Sequence, residues 1–99
     1  MTDARFVTSV VDLSTDSTTI TSSPALLRGI SIQTANSAQA VPVKNGASGT
    51  TVFTIPASSS GGIWYECGDA RMELGITIDP DNSATGTISV VWKPLLSTE

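Results

Sequence analysis

The sequence lacks the residues that most enzymes use at neutral pH. Its 99 residues include no histidine and a single cysteine, Cys67, and only 14% of them are charged. Without an imidazole there is no ordinary general base, and without a pair of thiols there is neither a disulfide nor a thiolate zinc site. Serine and threonine, by contrast, occupy 28 positions. The composition therefore predicts a protein that is not an enzyme and that holds no cofactor or metal.

Positive charge is also scarce. The formal net charge is −4, and the five cations are scattered at Arg5, Arg28, Lys44, Arg71 and Lys93. Nucleic-acid binding needs a dense stripe of cations, and anionic membranes repel an acidic surface, so we expect neither as a partner. No stretch approaches the roughly 20 apolar residues of a membrane span, and residues 1–6 lack the features of a signal peptide. One thiol and no signal peptide predict synthesis in a reducing cytoplasm without secretion.

Apolar residues alternate with polar ones through most of the chain. In the last such segment Ile88, Val90 and Trp92 share one face, which we assign to the core. A period of two indicates half-buried β-strands, and Gly, Pro, Asn, Asp and Ser separate the segments as in turns. We predict an all-β fold: a single antiparallel β-sandwich of seven or eight short strands over residues 1–99, with jelly-roll or immunoglobulin-like topology and little or no helix. An N-terminal arm (1–5) and a C-terminal tail (95–99) are expected to be loose.

Turns and edges can be assigned from particular residues. Asn45–Gly49 is the best hairpin signal, because Asn and Gly tolerate the positive φ of tight turns. Ser58–Gly62 is expected to be a flexible loop and Asp79–Ser83 a turn. Thr18–Ser22 reads as an edge strand or extended arm. Pro42 also places its strand at a sheet edge, because proline cannot donate to a ladder.

Two segments depart from simple alternation. Arg28 falls on the same face as Leu26 and Ile30, so we expect it to lie near an edge or to meet a carboxylate. Gly68–Glu73 is the only stretch that could form a helical turn, with Asp69 as its cap.

A nucleophilic or metal site has weak support. A Ser-Lys dyad with Lys44 or Lys93 is formally possible, but both lysines lie at strand ends near turns, where a solvated charge is expected. Asp79, Asp81 and Asn82 have a spacing that calcium loops use, yet the segment lacks the glycine and the glutamate of a complete loop. We interpret it as an ordinary turn.

Three carboxylates near one another raise the alternative of glycoside cleavage. Glu66, Asp69 and Glu73 flank a glycine-containing bend, and paired carboxylates perform such chemistry. Because Arg71 lies among them, ion pairing at the surface is the simpler interpretation.

The aromatic pair Trp64-Tyr65 gives the clearest indication of a binding surface. Neighbouring strand residues point to opposite faces, and Tyr65 shares a face with Ile63 and Cys67, of which we expect Cys67 to be buried. Trp64 is therefore the outward ring. We predict a protein interface that includes Trp64, Glu66 and Arg71, with a sugar-binding platform as the alternative.

Four segments resemble small β-sandwich virion proteins of tailed bacteriophages. They are Leu27-Arg28-Gly29-Ile30, Val43-Lys44-Asn45-Gly46, Phe53-Thr54-Ile55-Pro56, and the run from Ser83 through Ile88 to Pro94. Members of that group coat a capsid or sit on a head fibre, and they are commonly trimeric. The resemblance runs from about Leu26 to Pro94 and brings no catalytic or binding motif with it.

The resemblance implies a non-enzymatic virion protein that decorates or cements a capsid. Its expected partners are copies of itself, as a homotrimer, and a major capsid or other virion protein. Its expected location is the virion, after synthesis in the host cytoplasm. The alternatives are a carbohydrate- or receptor-binding module on a fibre head and a minor capsid or neck subunit.

Overall fold

The described part of the computed structural model consists of residues 5–15, 17–37, 39–47, 49–80 and 84–95. These residues form eight β-strands and no helix. The strands are β1 (Val7–Asp12), β2 (Thr18–Thr21), β3 (Ala25–Thr34), β4 (Val41–Asn45), β5 (Thr51–Ile55), β6 (Trp64–Met72), β7 (Ile76–Ile78) and β8 (Thr87–Pro94). The predicted all-β fold and strand number are confirmed. Residues 1–4 of the expected arm and 96–99 of the expected tail lie outside the described residues, as do residues 81–83 of the expected turn.

The strands form two antiparallel four-stranded sheets. Sheet A has the order β1-β8-β3-β6 and sheet B the order β2-β7-β4-β5. The pairs β1–β8, β2–β7, β3–β6 and β4–β5 are nested, as in one long hairpin that has been rolled up so that β8 also meets β3 and β7 also meets β4. This strand order is a jelly roll. Of the two topologies that the sequence left open, it is not the immunoglobulin-like one.

The core lies between the two sheets and follows the period-two pattern. Its fully buried side chains are mostly β-branched or leucine, as a pleated and closely packed interior favours. They include Leu13, Leu27, Ile30, Ile32, Val41, Val43, Ile55, Met72, Ile76, Ile78, Ile88 and Val90. Trp92 packs partly buried against this cluster, and its Nε1 donates to Ser9 Oγ at 2.9 Å. The core assignment of the Ile88, Val90 and Trp92 face is thus confirmed.

Strand β3 changes phase in its middle, which corrects the single face assumed for Leu26, Arg28 and Ile30. Leu27 faces the core before the change and Ile30 after it, while Leu26 points outward. Arg28 is the extra residue: the pairing with β8 steps from Leu27 to Gly29 without it. A bulge of this kind moves the side chain out of the alternation, so Arg28 is exposed.

The helical turn expected over Gly68–Glu73 is wrong. Strand β6 continues to Met72, and Arg28 of β3 faces three residues of β6 where the pairing is interrupted. Gly68 and Asp69 both have positive φ, at 66° and 54°. Glycine and, less often, aspartate accept this backbone region, which allows a bulge as readily as a turn end.

The edge position expected for the Pro42 strand is also wrong, because β4 lies between β7 and β5. The Pro42 carbonyl accepts a hydrogen bond from Asp79 N at 3.0 Å, so its backbone points toward β7 just past Ile78, where β7 ends. Pro42 lacks an N–H at a position that lies past the last residue of β7, so no hydrogen bond within the β4–β7 pairing is lost. Strand β2 does lie at an edge, and the Asn45–Gly49 hairpin joins β4 to β5, both as expected.

The segment Ser58–Gly62, expected to be a flexible loop, is fastened by hydrogen bonds. Ser58 N donates to Ser37 O at 2.8 Å, and Gly62 N donates to Ile32 O at 2.7 Å. Ser59 is buried, its N donates to Asn36 Oδ1, and its hydroxyl lies 2.6 Å from that of Tyr65. These hydrogen bonds attach the loop to β3, β6 and the segment that follows β3.

Candidate interaction surface on sheet A

The outward side of sheet A, here called the sheet-A face, is built from three cross-strand rows. The register aligns Val10, Ser89, Ser31 and Trp64 in the first row, Thr8, Val91, Gly29 and Glu66 in the second, and Lys93, Leu26 and Arg71 in the third. Directly opposite residues of paired strands share a face, so these eleven positions form one surface, on which Gly29 contributes no side chain. Val10 is 68% exposed at one margin and Trp64 is 43% exposed at the other.

Trp64 lies across its neighbour strand. Its six-membered ring occupies the space in which a Cβ on Gly29 would stand, so only glycine leaves room for the ring there. An aromatic ring that covers a glycine in the adjacent strand restores the side-chain contact that the glycine lacks. One side of the indole is therefore packed on the sheet and the other side is presented to solvent.

Glu66 fixes the orientation of this ring. Trp64 Nε1 donates to Glu66 Oε1 at 3.0 Å, while Glu66 Oε2 accepts a hydrogen bond from Gly68 N at 3.1 Å. The carboxylate thereby ties the indole to the start of the β6 bulge. The two residues expected to share an interface do lie side by side.

Arg71 is on the same face but apart from that pair. It is paired with Leu26 in the third row, beyond the bulge, and its Nε donates to Glu73. The structure thus brings Trp64 and Glu66 together and leaves Arg71 in a separate ion pair.

Arg28 of β3 connects its strand to β6 and to the segment that precedes β1. Its Nε and Nη2 donate to the two carboxylate oxygens of Asp69, at 3.1 and 3.3 Å, and its guanidinium lies 3.5 Å from the centre of the Phe6 ring. The hydrogen bond from Arg28 lowers the pKa of Asp69, and Lys93 acts in the same direction. The expectation that Arg28 meets a carboxylate is confirmed, and the cation–π contact holds the segment before β1 on the sheet-A face.

The carboxylates considered for glycoside cleavage each have a different partner. Glu66 accepts from Trp64 and Gly68, Asp69 from Arg28, and Glu73 from Arg71. The ion-pair interpretation given to Arg71 is therefore confirmed for Glu73. Within the described ranges no three metal-ligating side chains are grouped together, and no pocket is present.

The remaining candidate side chains lie elsewhere. Lys44 is on sheet B, where its Nζ is 2.7 Å from Asp79 Oδ2, while Asp81 and Asn82 are outside the described residues. Cys67, which was expected to be buried, is half-buried against the core, and burial raises the pKa of its thiol. Ile63, assigned to the same face, is 38% exposed. Among the residues described, no helix has the length and apolarity required to cross a bilayer.

Sequence reasoning missed three participants in this surface. They are Val10, Gly29 and Phe6, none of which the sequence pattern marks as part of a binding surface. The only signal for Gly29 was a glycine between apolar strand residues, which often marks a close approach of another group. The group that approaches is Trp64, about a third of the chain length away in the sequence, and no local pattern indicates it.

The chain matches no protein-family model, no curated protein and no solved structure. The resemblance to phage virion proteins therefore stays a prediction from the residues.

Proposed function

We propose that the protein is a non-enzymatic virion structural protein that decorates a tailed-phage capsid through its sheet-A face. The observation that carries the proposal is the state of Trp64, a large ring held in place by Gly29 and Glu66 yet 43% exposed. Aromatic side chains presented on a rigid element are the typical anchors of protein interfaces, because little conformational entropy is lost when they are covered. The jelly roll also occurs in viral capsid domains.

The surroundings of Trp64 favour a protein partner over a sugar. The Trp64 ring covers Gly29, which is paired with Val91, and Val10 lies diagonally beyond Val91 on β1, so that a narrow apolar strip with serine and threonine beside it crosses the sheet toward β1. A partner surface that covers this strip would exclude water from the whole ring. A sugar platform commonly uses a second exposed ring nearby. Among the other described aromatics, Phe6 is covered by Arg28, Phe53 and Tyr65 pack together, and Trp92 donates to Ser9.

The lectin-like alternative is kept in the test because the jelly roll also occurs in lectins. Trp64→Ala and a matched control, Leu74→Ala, are added to undecorated phage heads, and binding is measured by co-sedimentation. Leu74 is 61% exposed in the turn between β6 and β7 and packs beside Gly46, away from the sheet-A face. We expect Trp64→Ala to weaken head binding roughly 30-fold, which corresponds to about 2 kcal/mol, and Leu74→Ala to leave it unchanged.

Two outcomes would overturn the proposal. The wild-type protein would fail to bind heads at all, or Trp64→Ala would bind heads normally while it lost binding on a glycan array. The second outcome would replace capsid decoration by receptor recognition at the same ring.

A further inference from the structure

The two edges of sheet A differ in how well they could accept another strand. The β6 edge is interrupted by the bulge at Gly68 and Asp69, a device that prevents pairing with a further strand. The β1 edge is regular, because all six residues from Val7 to Asp12 pair with β8 without a shift. Only Asp12 in this strand is charged. A regular, nearly uncharged edge is a template for pairing with another chain.

The direction of the β1 backbone groups follows from the hydrogen bond at its end. Leu13 N donates to Gly86 O at 2.9 Å, which continues the β1–β8 ladder. Because backbone groups alternate in direction along a strand, the odd-numbered residues of β1 bond to β8. Thr8 and Val10 therefore direct their N–H and C=O groups to the open edge. Asp12 directs its N–H there, while its C=O accepts a hydrogen bond from Thr15 N at 3.1 Å.

The two ends of β1 carry opposite charge. At its start, Arg28 lies over Phe6 and Lys93 Nζ is 5.5 Å from the centre of the same ring. At its end is Asp12, whose Oδ1 accepts hydrogen bonds from Ser14 N and Oγ. An antiparallel copy of the strand would place the anionic end of one chain beside the cationic end of the other, twice.

We propose that a second copy of this chain pairs with β1 in antiparallel fashion about a two-fold axis at Ser9. Thr8 of each copy then lies opposite Val10 of the other, and Phe6 lies opposite Asp12. The Thr8–Val10 pairs use backbone groups that point to the open edge, and the N–H of Asp12 points there too. The Asp12 side chain comes beside the Arg28 guanidinium of the other copy. The contact is isologous, which makes it self-limiting. The sheets A of the two copies become one eight-stranded sheet. The assembly is a dimer, whereas the resemblance to virion proteins implied a trimer.

The two-fold axis of such a strand pair is perpendicular to the sheet, so both sheet-A faces point in the same direction. If the proposed function holds, each dimer presents two Trp64 rings to one shell, and the second contact forms at high effective concentration. This consequence rests on the proposed function. The dimer itself does not, because it forms without any virion.

The test compares Val10→Pro with Val10→Thr by analytical ultracentrifugation of the full chain across micromolar concentrations. Proline removes an N–H that points to the open edge and leaves the ladder to β8 intact, whereas threonine keeps that N–H. We expect the wild type and Val10→Thr to sediment at twice the mass of the chain. For Val10→Pro we expect the dissociation constant of the dimer to rise by roughly tenfold or more. Asp12→Asn, which keeps the acceptor for Ser14, should weaken the dimer to a smaller degree.

A second measurement keeps the proposal testable if Val10→Pro does not fold. Amide hydrogen exchange of the wild type should show that Thr8 and Val10 become more protected as concentration rises, while the amides of edge strand β5 do not. A monomer at all concentrations, a trimer, or exchange at Thr8 and Val10 that is independent of concentration would overturn the dimer. Loss of head binding by Trp64→Ala with an intact dimer supports both proposals, and a dimer that never binds heads removes only the proposed function.

Discussion

At the scale of single residues, the contact between Gly29 and Trp64 sets the shape of the candidate surface. A Cβ at position 29 would overlap Cζ2 and Cη2 of the ring and stand 2.7 Å from the Tyr65 carbonyl oxygen. We expect Gly29→Ala to lower the free energy of unfolding by about 1–3 kcal/mol, as overpacking does elsewhere. It should also shift Trp64 emission, measured with Trp92→Phe as the background so that one indole reports. Unchanged emission and stability would contradict the described packing.

The ion pair between Arg28 and Asp69 predicts a particular pH dependence. The pKa of Asp69 is lowered in the folded state, first by its hydrogen bond from Arg28, so the pair stabilises the fold above the unfolded-state pKa. That stability is lost as the pH falls through the folded-state pKa, in the range below about pH 4. Asp69→Asn should therefore flatten the acid side of the stability profile.

The matched variant is Arg28→Gln, which removes the other partner. Urea unfolding of both single variants and of the double variant across pH 2–6 completes a double-mutant cycle. The free energy of unfolding of the double variant should depend on pH no less than that of either single variant. A full acid dependence in Asp69→Asn would show that the pair contributes nothing. Asp12 also has a lowered pKa, through its bonds from Ser14, and remains in every variant.

Residue-scale prediction from sequence succeeded where one strand determines the answer. The outward position of Trp64 follows from its neighbour Tyr65. Arg28 meets a carboxylate as expected, although the apolar face from which this was argued is interrupted by the bulge at Arg28. Which carboxylate would meet Arg28 did not follow, because Asp69 is brought there by a bulge in another strand. The contact of Phe6 with Arg28 could not be predicted for the same reason, because it depends on β1 and β3 lying in one sheet.

At the scale of elements, Asn36 fastens the loop between β5 and β6. Its side chain is buried, Nδ2 donates to Pro56 O at 3.1 Å and to Gln39 O at 3.4 Å, and Oδ1 accepts from Ser59 N. We expect Asn36→Ala to lower the free energy of unfolding by about 1–3 kcal/mol, because buried backbone groups lose their partners. Asn36→Asp should cost at least as much at neutral pH, since a carboxylate cannot donate to the two carbonyls.

The control for this loop is Gln33→Ala, at an exposed position where the side chain donates only to Ser31 Oγ in the described contacts. Urea unfolding should show little change for it. Equal stability of Asn36→Ala and Gln33→Ala would mean that the Asn36 network does not hold the loop.

The elements also show why two sequence rules failed. The Pro42 strand was assigned to a sheet edge because proline cannot donate a backbone hydrogen bond. Pro42 nevertheless lies in an interior strand, and no donor is missing from the pairing with β7 because β7 ends at Ile78. The segment Gly68–Glu73 was interpreted as a helical turn because aspartate is a favourable helix cap, yet strand β6 continues through it to Met72. In both cases a rule about single residues was applied where the pairing with a neighbouring strand decides the structure.

At the scale of the whole molecule, strand identity was accessible from sequence and strand order was not. The Asn45–Gly49 turn predicts the β4–β5 hairpin, because both strands adjoin it. The β1–β8 pair joins Val7 to Trp92, across nearly the whole chain, and alternation carries no information on such a distant partner. The choice between jelly roll and immunoglobulin-like topology depends on that pairing and on its nested equivalents. Only the three-dimensional arrangement decides it.

Electron microscopy of phage particles incubated with the protein would show both where the chain lies and how it is oriented, and so decides whether it decorates capsids. We expect density for the jelly roll at symmetric sites on the head. We also expect the sheet-A face to be turned toward the shell, with Trp64 covered by the major capsid protein. A chain found at a tail or fibre tip with Trp64 directed to solvent, or a chain absent from the particles, would contradict capsid decoration.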